Sequence, residues 1–232
     1  MHNPFSNSNQ IGVVSSFTDL VQAEFKDSMN AFCWHRNLEG DFEEIVAQLT
    51  LKDNITVITP LDLMALQLTN KGRIARDVIL QDIQLLTEYG AAPTLNLLKC
   101  YERDDTFPFI TTDVYSFHVD SSPIATDTFL CTYRGATSDL ISNLHAIPKI
   151  EIPEIRKKLF ELHEGPLDEF DAFLKEHFFD LHYEAKPEAE PINLGIGNLW
   201  RLAVEHPNQQ VLPCIHRAPI ENEGEYRLLL IC

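Results

Sequence analysis

Basic residues are scarce in this chain. Of its 232 residues only 18 are Lys or Arg, against 35 Asp or Glu, so the formal net charge is −17. Such a surface repels nucleic acid and anionic membranes unless a local basic patch intervenes, and the one short cluster, Arg156-Lys157-Lys158, is surrounded by Asp and Glu. No nucleic-acid or membrane partner is expected. Cysteine is sparse and unpatterned: Cys33, Cys100, Cys131, Cys214 and Cys232 are odd in number and form no Cys-x-x-Cys pair. That excludes a disulfide framework and fits a reduced, cytoplasmic chain. No apolar run approaches the ~20 residues of a membrane span, and "MHNPFSNSNQ" has neither the basic nor the apolar part of a signal peptide. No Walker loop, Gly-x-Ser-x-Gly or His-Glu-x-x-His occurs, and the isolated "GIG" (195–197) reads as a turn.

What remains is an ordinary globular balance, 44% hydrophobic and 23% charged. Residues 1–17 read as a tail and 18–232 as a single domain. Helical spacing runs from Thr18 to Met29, over 41–49, after Pro60, and most clearly over 73–90, where Ile74, Val78, Ile79, Ile83, Leu86 and Tyr89 form a stripe that Gly90 ends. "AFCWHR" (31–36) and "NITVIT" (54–59) are short strand-like runs in this mainly helical support, 18–93. From residue 94 the character is β: 94–101, 113–120, 127–134, 198–204, 210–216 and 226–232, interrupted by a helical insertion over 151–191. The pattern predicts α+β, with a β-sandwich or barrel covered on one face by helices.

Chemistry concentrates in two short segments. In "YSFHVDSS" (115–122), His118 and Asp120 stand two residues apart, so on an extended strand both side chains point the same way. In "CIHRAPIENEGEYRLLLIC" (214–232), His216 ends one apolar run and Arg227 lies inside the next. Folding this segment as a hairpin about "ENEG" sets His216 opposite or diagonal to Arg227 on one face. Two imidazoles and one carboxylate suit a non-haem Fe(II) with open positions. An arginine in an apolar run requires an anion, and its guanidinium grips a carboxylate through two parallel hydrogen bonds.

His-x-Asp, a distant His, and Arg about ten residues beyond it resemble the Fe(II)- and 2-oxoglutarate-dependent dioxygenases. "FHVDSSP…FLCTYRG", "IHRAP" and "YRLLLIC" are further similar to a bacterial domain family of unknown function in the same fold group. The motif resemblance covers about residues 94–232. It implies a double-stranded β-helix, that is, a jelly-roll barrel of the cupin type with the N-terminal helices packed outside. It implies Fe(II) held by His118, Asp120 and His216, and 2-oxoglutarate held by Arg227. The expected activity is hydroxylation or demethylation of a small-molecule or peptide substrate. Thr132 or Tyr133, on a strand near the site, is a further candidate for the co-substrate carboxylate, with Tyr133 taken as the provisional choice.

Alternatives stand beside this. Arg227 could pair with Glu225 or a neighbouring carboxylate, His118 could be a core histidine, and Asp120 a turn residue. A metal-binding cupin-like enzyme without 2-oxoglutarate and a non-catalytic interaction module are the other functional readings. Cys214 is expected as a small buried thiol rather than a ligand, and Trp34 and Trp200 as core aromatics. His177 and His182 are read as surface residues, and His145, His163 and His206 are left unassigned.

Overall fold

The computed structural model describes Phe5 and residues 8–232. Among these residues thirteen strands occur in chain order: β1 (Ile11–Val14), β2 (Ala31–Trp34), β3 (Ile55–Ile58), β4 (Thr94–Leu98), β5 (Phe117–His118), β6 (Asp127–Arg134), β7 (Asp139–Leu140), β8 (Ala146–Pro148), β9 (His182–Ala185), β10 (Ile192–Asn193), β11 (Leu199–Ala203), β12 (His216–Arg217) and β13 (Arg227–Ile231). The helices are α1 (Phe17–Gln22), α2 (Phe42–Gln48), α3 (Pro60–Ala65), α4 (Asn70–Tyr89), α5 (Pro153–Leu162) and α6 (Phe170–Glu176). The fold is α+β, with two mostly antiparallel sheets. A seven-stranded sheet runs β1-β2-β11-β6-β13-β4-β3 and a six-stranded one runs β10-β7-β12-β5-β9-β8.

Helix ends follow their sequence signals. Asp41 caps α2 by accepting from the Glu44 N–H, and Thr59 and Asp62 form a reciprocal capping box with Pro60 in the first turn of α3. Gly90 ends α4 at φ 100°, the left-handed region where a side chain would be strained. The buried stripe of α4 is Ala75, Ile79, Asp82 and Leu86, whereas Ile74 and Tyr89 are exposed. Asp82 belongs to the buried face because it answers two sheet-side residues. It accepts two hydrogen bonds from Arg36, at 2.7 and 2.8 Å, and one from the Tyr133 hydroxyl at 2.7 Å. With both partners satisfied, this buried charge can be held under the helix.

Each central strand of the large sheet serves two cores, which is why it reads as continuously apolar. Along β6, Phe129, Cys131 and Tyr133 face the helices, while Leu130 packs between the sheets with Leu98, Leu229 and Trp200 of the large sheet and Leu140 and Cys214 from the small-sheet side. Along β13, Leu228 and Leu230 find under the helices the cover expected for them, opposite the face of Arg227.

Several expectations need correction. Residues 1–17 are not all tail: Ile11–Val14 pair in parallel with Ala31–Trp34, and Gln10 is buried with its side chain donating to the Ile141 carbonyl. The first ten residues otherwise lie partly outside the described range. Segment 18–93 is more than external support, since β2 and β3 enter the large sheet and β3 forms its edge. Helix α1 stops at Gln22; Phe25 and Met29 still reach the core, but from irregular backbone. The insertion 151–191 is not wholly helical, because β9 pairs with β5 and β8.

Candidate metal centre

Three donors converge on the inner face of the small sheet. His118 on β5 and His216 on β12 are direct cross-strand partners, so their rings stand side by side with centroids 4.7 Å apart. Asp120 follows the end of β5, its carbonyl taken by the Glu205 N–H at 2.8 Å. The His216 Nε2 is 3.6 Å from Asp120 Oδ2 and the His118 Nε2 is 4.0 Å from Oδ1. One donor atom from each residue lies within 4.8 Å of the others.

The surrounding groups prepare these atoms for a cation. His118 Nδ1 lies 2.8 Å from the Ser116 carbonyl and His216 Nδ1 3.2 Å from the Cys214 carbonyl. A carbonyl only accepts, so each ring donates from Nδ1 and turns its Nε2 toward Asp120. The Thr128 hydroxyl donates to Asp120 Oδ2. Burial pushes the Asp120 carboxyl up, but His216, Thr128 and His118 outweigh it and hold it below its ordinary value. Burial, with His216 beside it, pushes His118 down to about 4. At neutral pH His118 is therefore a neutral imidazole beside an ionised Asp120 carboxylate, each in the protonation state a metal needs.

Arg227 meets this group from the other sheet. The segment after His216 does not turn back as a hairpin: β12 pairs with β5 and β7, whereas β13 pairs with β4 and β6. The expected cross-strand pairing of His216 with Arg227 is thus incorrect, because "ENEG" lies in a connection that crosses between the sheets. Both side chains nevertheless line one cavity of about 150 Å³, together with His118, Asp120, Tyr101 and Ser138. Gly135 allows the approach. At φ 88° it follows β6 so closely that a Cβ there would stand 2.9 Å from the Arg227 Cα.

Arg227 is 2% exposed, yet no carboxylate lies within ion-pair distance of it among the described residues. Its Nε and Nη2 donate to Thr132 Oγ1, at 3.3 and 3.0 Å, and Nη2 also donates to Ser138 Oγ at 2.9 Å. Glu225, the alternative partner, is taken by Arg134 at 3.2 Å. Its hydrogen bonds go only to neutral hydroxyls, with Glu221 acting on it from beyond ion-pair distance, so the guanidinium keeps capacity for a closer anion.

Of the two β6 candidates, Thr132 is the one at the site. Tyr133 points away, 1% exposed among the helices and bound to Asp82, because alternate strand residues face opposite sides. Its assignment to the co-substrate is therefore incorrect. Cys214 and Trp200 are fully buried as expected. His177 is exposed, but His182 is not a surface residue. It is 7% exposed and pairs across β9 and β5 with His118, ring centroids 5.9 Å apart. Its Nδ1 is buried without a hydrogen-bond partner. Sequence reasoning missed Ser138, Thr128 and Tyr101, although Thr128 and Thr132 share a face with Leu130 by simple alternation. A larger hollow of about 610 Å³ lies near Gln10, Asn30 and Asn143, but it gathers no group of three metal-binding side chains among the described residues.

Burial, with His118 and Lys149 nearby, pushes His182 down to about 3. Both His182 and His118 are thus harder to protonate folded than unfolded, where histidine titrates near 6.5. Above that pH neither contributes; below it the unfolded chain binds protons that the folded one refuses, so stability falls as pH drops from ~6.5 toward the folded values. The urea midpoint of metal-free protein is expected to fall between pH 7 and pH 5, and to fall less in His182→Gln. Equal slopes for the two proteins contradict this account of His182.

No family model, curated protein or solved structure matches this chain. No described helix is long and apolar enough to cross a membrane.

Proposed function

We propose that the protein is an Fe(II)- and 2-oxoglutarate-dependent dioxygenase, built on a jelly-roll of the cupin type, that hydroxylates or demethylates a small-molecule or peptide substrate. The observation that carries this reading is the placement of Arg227, a guanidinium with no carboxylate within ion-pair distance among the described residues, on the same small cavity as a two-histidine, one-carboxylate group. Three donors ~2.1 Å from one centre stand ~3–3.5 Å apart; here one donor atom from each residue lies within 4.8 Å of the others, so binding an ion draws the three side chains together. Two imidazoles and a carboxylate are the donor set of non-haem Fe(II) oxygenases, which would leave further positions on the metal for co-substrate and dioxygen.

Bound Fe(II) and 2-oxoglutarate supply the oxidising chemistry: dioxygen is consumed, 2-oxoglutarate loses carbon dioxide to become succinate, and one oxygen atom goes to a C–H bond of the substrate. The chain's own residues bind and orient. His118, Asp120 and His216 hold the metal, and the Ser116 and Cys214 carbonyls fix the two rings. Thr128 orients the Asp120 carboxylate. Arg227, backed by Thr132 and Ser138, takes the far carboxylate of the co-substrate. Leu130, Leu229 and Ile231 line the same cavity and limit water around that ion pair, which strengthens it.

The test is anaerobic reconstitution with Fe(II), titration with 2-oxoglutarate, and succinate release on admitting air. One equivalent of iron, saturable co-substrate binding and succinate formation are expected. Iron without 2-oxoglutarate binding points to a cupin-like enzyme in which Arg227 holds a substrate carboxylate directly. Absence of iron binding leaves an interaction module.

A further inference from the structure

We propose that Lys149 is a positioning residue for the metal ligand His118, linking the root of the helical insertion to the metal centre; this rests on the metal-binding reading above. Lys149 follows β8 and opens the short turn that leads into α5. It is 6% exposed, an unusual place for an ammonium group, which loses several kcal/mol of hydration when buried. Its Nζ donates to the Thr111 carbonyl at 2.8 Å and to Ser116 Oγ at 2.7 Å. No carboxylate lies within ion-pair distance of it among the described residues.

Ser116 is the residue whose carbonyl receives the His118 Nδ1 proton, at 2.8 Å. Its own N–H donates to the Asp113 carbonyl at 3.1 Å. Lys149 therefore clamps by its side chain the residue that orients the ligand ring, and joins three segments at one atom: the insertion root, the loop before β5, and the entry to β5 itself. An ammonium can do this because it offers three donors on a flexible stem. Partners one step behind a metal ligand fix its ring orientation, and their loss commonly weakens metal binding 10–100-fold. A lysine that only braces the loop would change folding stability and leave the metal untouched.

The experiment is an anaerobic Co(II) titration of full-length protein, followed by the visible absorption of the bound ion. The proteins are wild type, Lys149→Met, Lys149→Arg, Ser116→Ala, and the Lys149→Met/Ser116→Ala double variant. The carbonyl that meets His118 survives in both variants, so Lys149→Met and Ser116→Ala are each expected to bind Co(II) more weakly by a smaller factor than loss of a ligand's direct partner, roughly 3–10-fold against 10–100-fold, with a shifted spectrum. Lys149→Arg should recover part of the loss. The double variant should be no weaker than the worse single one, because both remove the same contact. Ser116→Ala keeps the test open if Lys149→Met folds poorly. Wild-type affinity and spectrum in folded Ser116→Ala, or losses that add in the double variant, overturn the proposal. Failure of wild type to bind Co(II) overturns the metal-binding reading and this proposal with it, whereas normal wild-type binding with an unaffected Ser116→Ala overturns this proposal alone.

Discussion

His216→Ala abolishes stoichiometric Fe(II) binding, and His118→Ala and Asp120→Ala do the same. The ligand atoms come from β12, from β5 and from Asp120 two residues past the end of β5, and no fourth donor is grouped with them among the described residues. Loss of a partner behind a ligand already costs 10–100-fold, so loss of the ligand itself exceeds ~100-fold. His182→Ala is the control. It removes an imidazole one strand away, in the same row, that is not among the three converging donors. It should retain one equivalent of iron. The measurement is anaerobic Fe(II) titration with circular dichroism to confirm folding. Retention of one equivalent in the His118→Ala/His216→Ala double variant, or loss in His182→Ala with retention in His216→Ala, shows that the ligands have been assigned wrongly.

The same row of histidines shows how far a sequence can be read. His118 and Asp120 were legible because their two-residue spacing fixes a shared side locally, whatever the rest of the chain does. His182 was not. It sits between a polar helical block and a Pro-containing connector, and only pairing with β5, far away in sequence, buries it. Asp82 hid in the same way. On α4 it stands three residues after Ile79 and four before Leu86, inside the apolar stripe, but a carboxylate there reads as exposed until Arg36 and Tyr133 answer it from the sheet side. In β6 the alternation of Thr128, Leu130 and Thr132 with Phe129, Cys131 and Tyr133 was readable, but which set faced the site was not, because a strand between two cores is apolar on both sides. The link from His216 to Arg227 failed for a different reason. A turn sequence between two apolar runs has the same local chemistry whether the chain returns within one sheet or crosses to another. Arg227 still reached the right cavity, since the two sheets face each other across it.

Arg227→Met weakens 2-oxoglutarate binding by roughly thirtyfold or more while leaving one equivalent of Fe(II) bound. The guanidinium touches no metal ligand in its hydrogen bonds, which go to Thr132 and Ser138. Removing it therefore takes away one partner of a charge-assisted contact to the co-substrate and nothing from the metal. Such a loss in a buried site costs ~2–5 kcal/mol by analogy with interfacial pairs, and ~1.4 kcal/mol is tenfold in affinity. Lysine is not equivalent to arginine here: Arg227→Lys keeps the charge but not the planar fork and should recover the affinity only in part. Stability separates this role from a structural one. A guanidinium 2% exposed with no carboxylate within ion-pair distance among the described residues loses hydration that Glu221, farther off, compensates only in part. A methionine of similar length should thus leave the ligand-free fold as stable as wild type or more so. Titration of iron-loaded wild type and variant with 2-oxoglutarate, beside their thermal midpoints, reads both quantities. Equal affinity in the two removes the co-substrate role from Arg227, and collapse of Arg227→Met without ligand shows instead that the guanidinium holds the two sheets together.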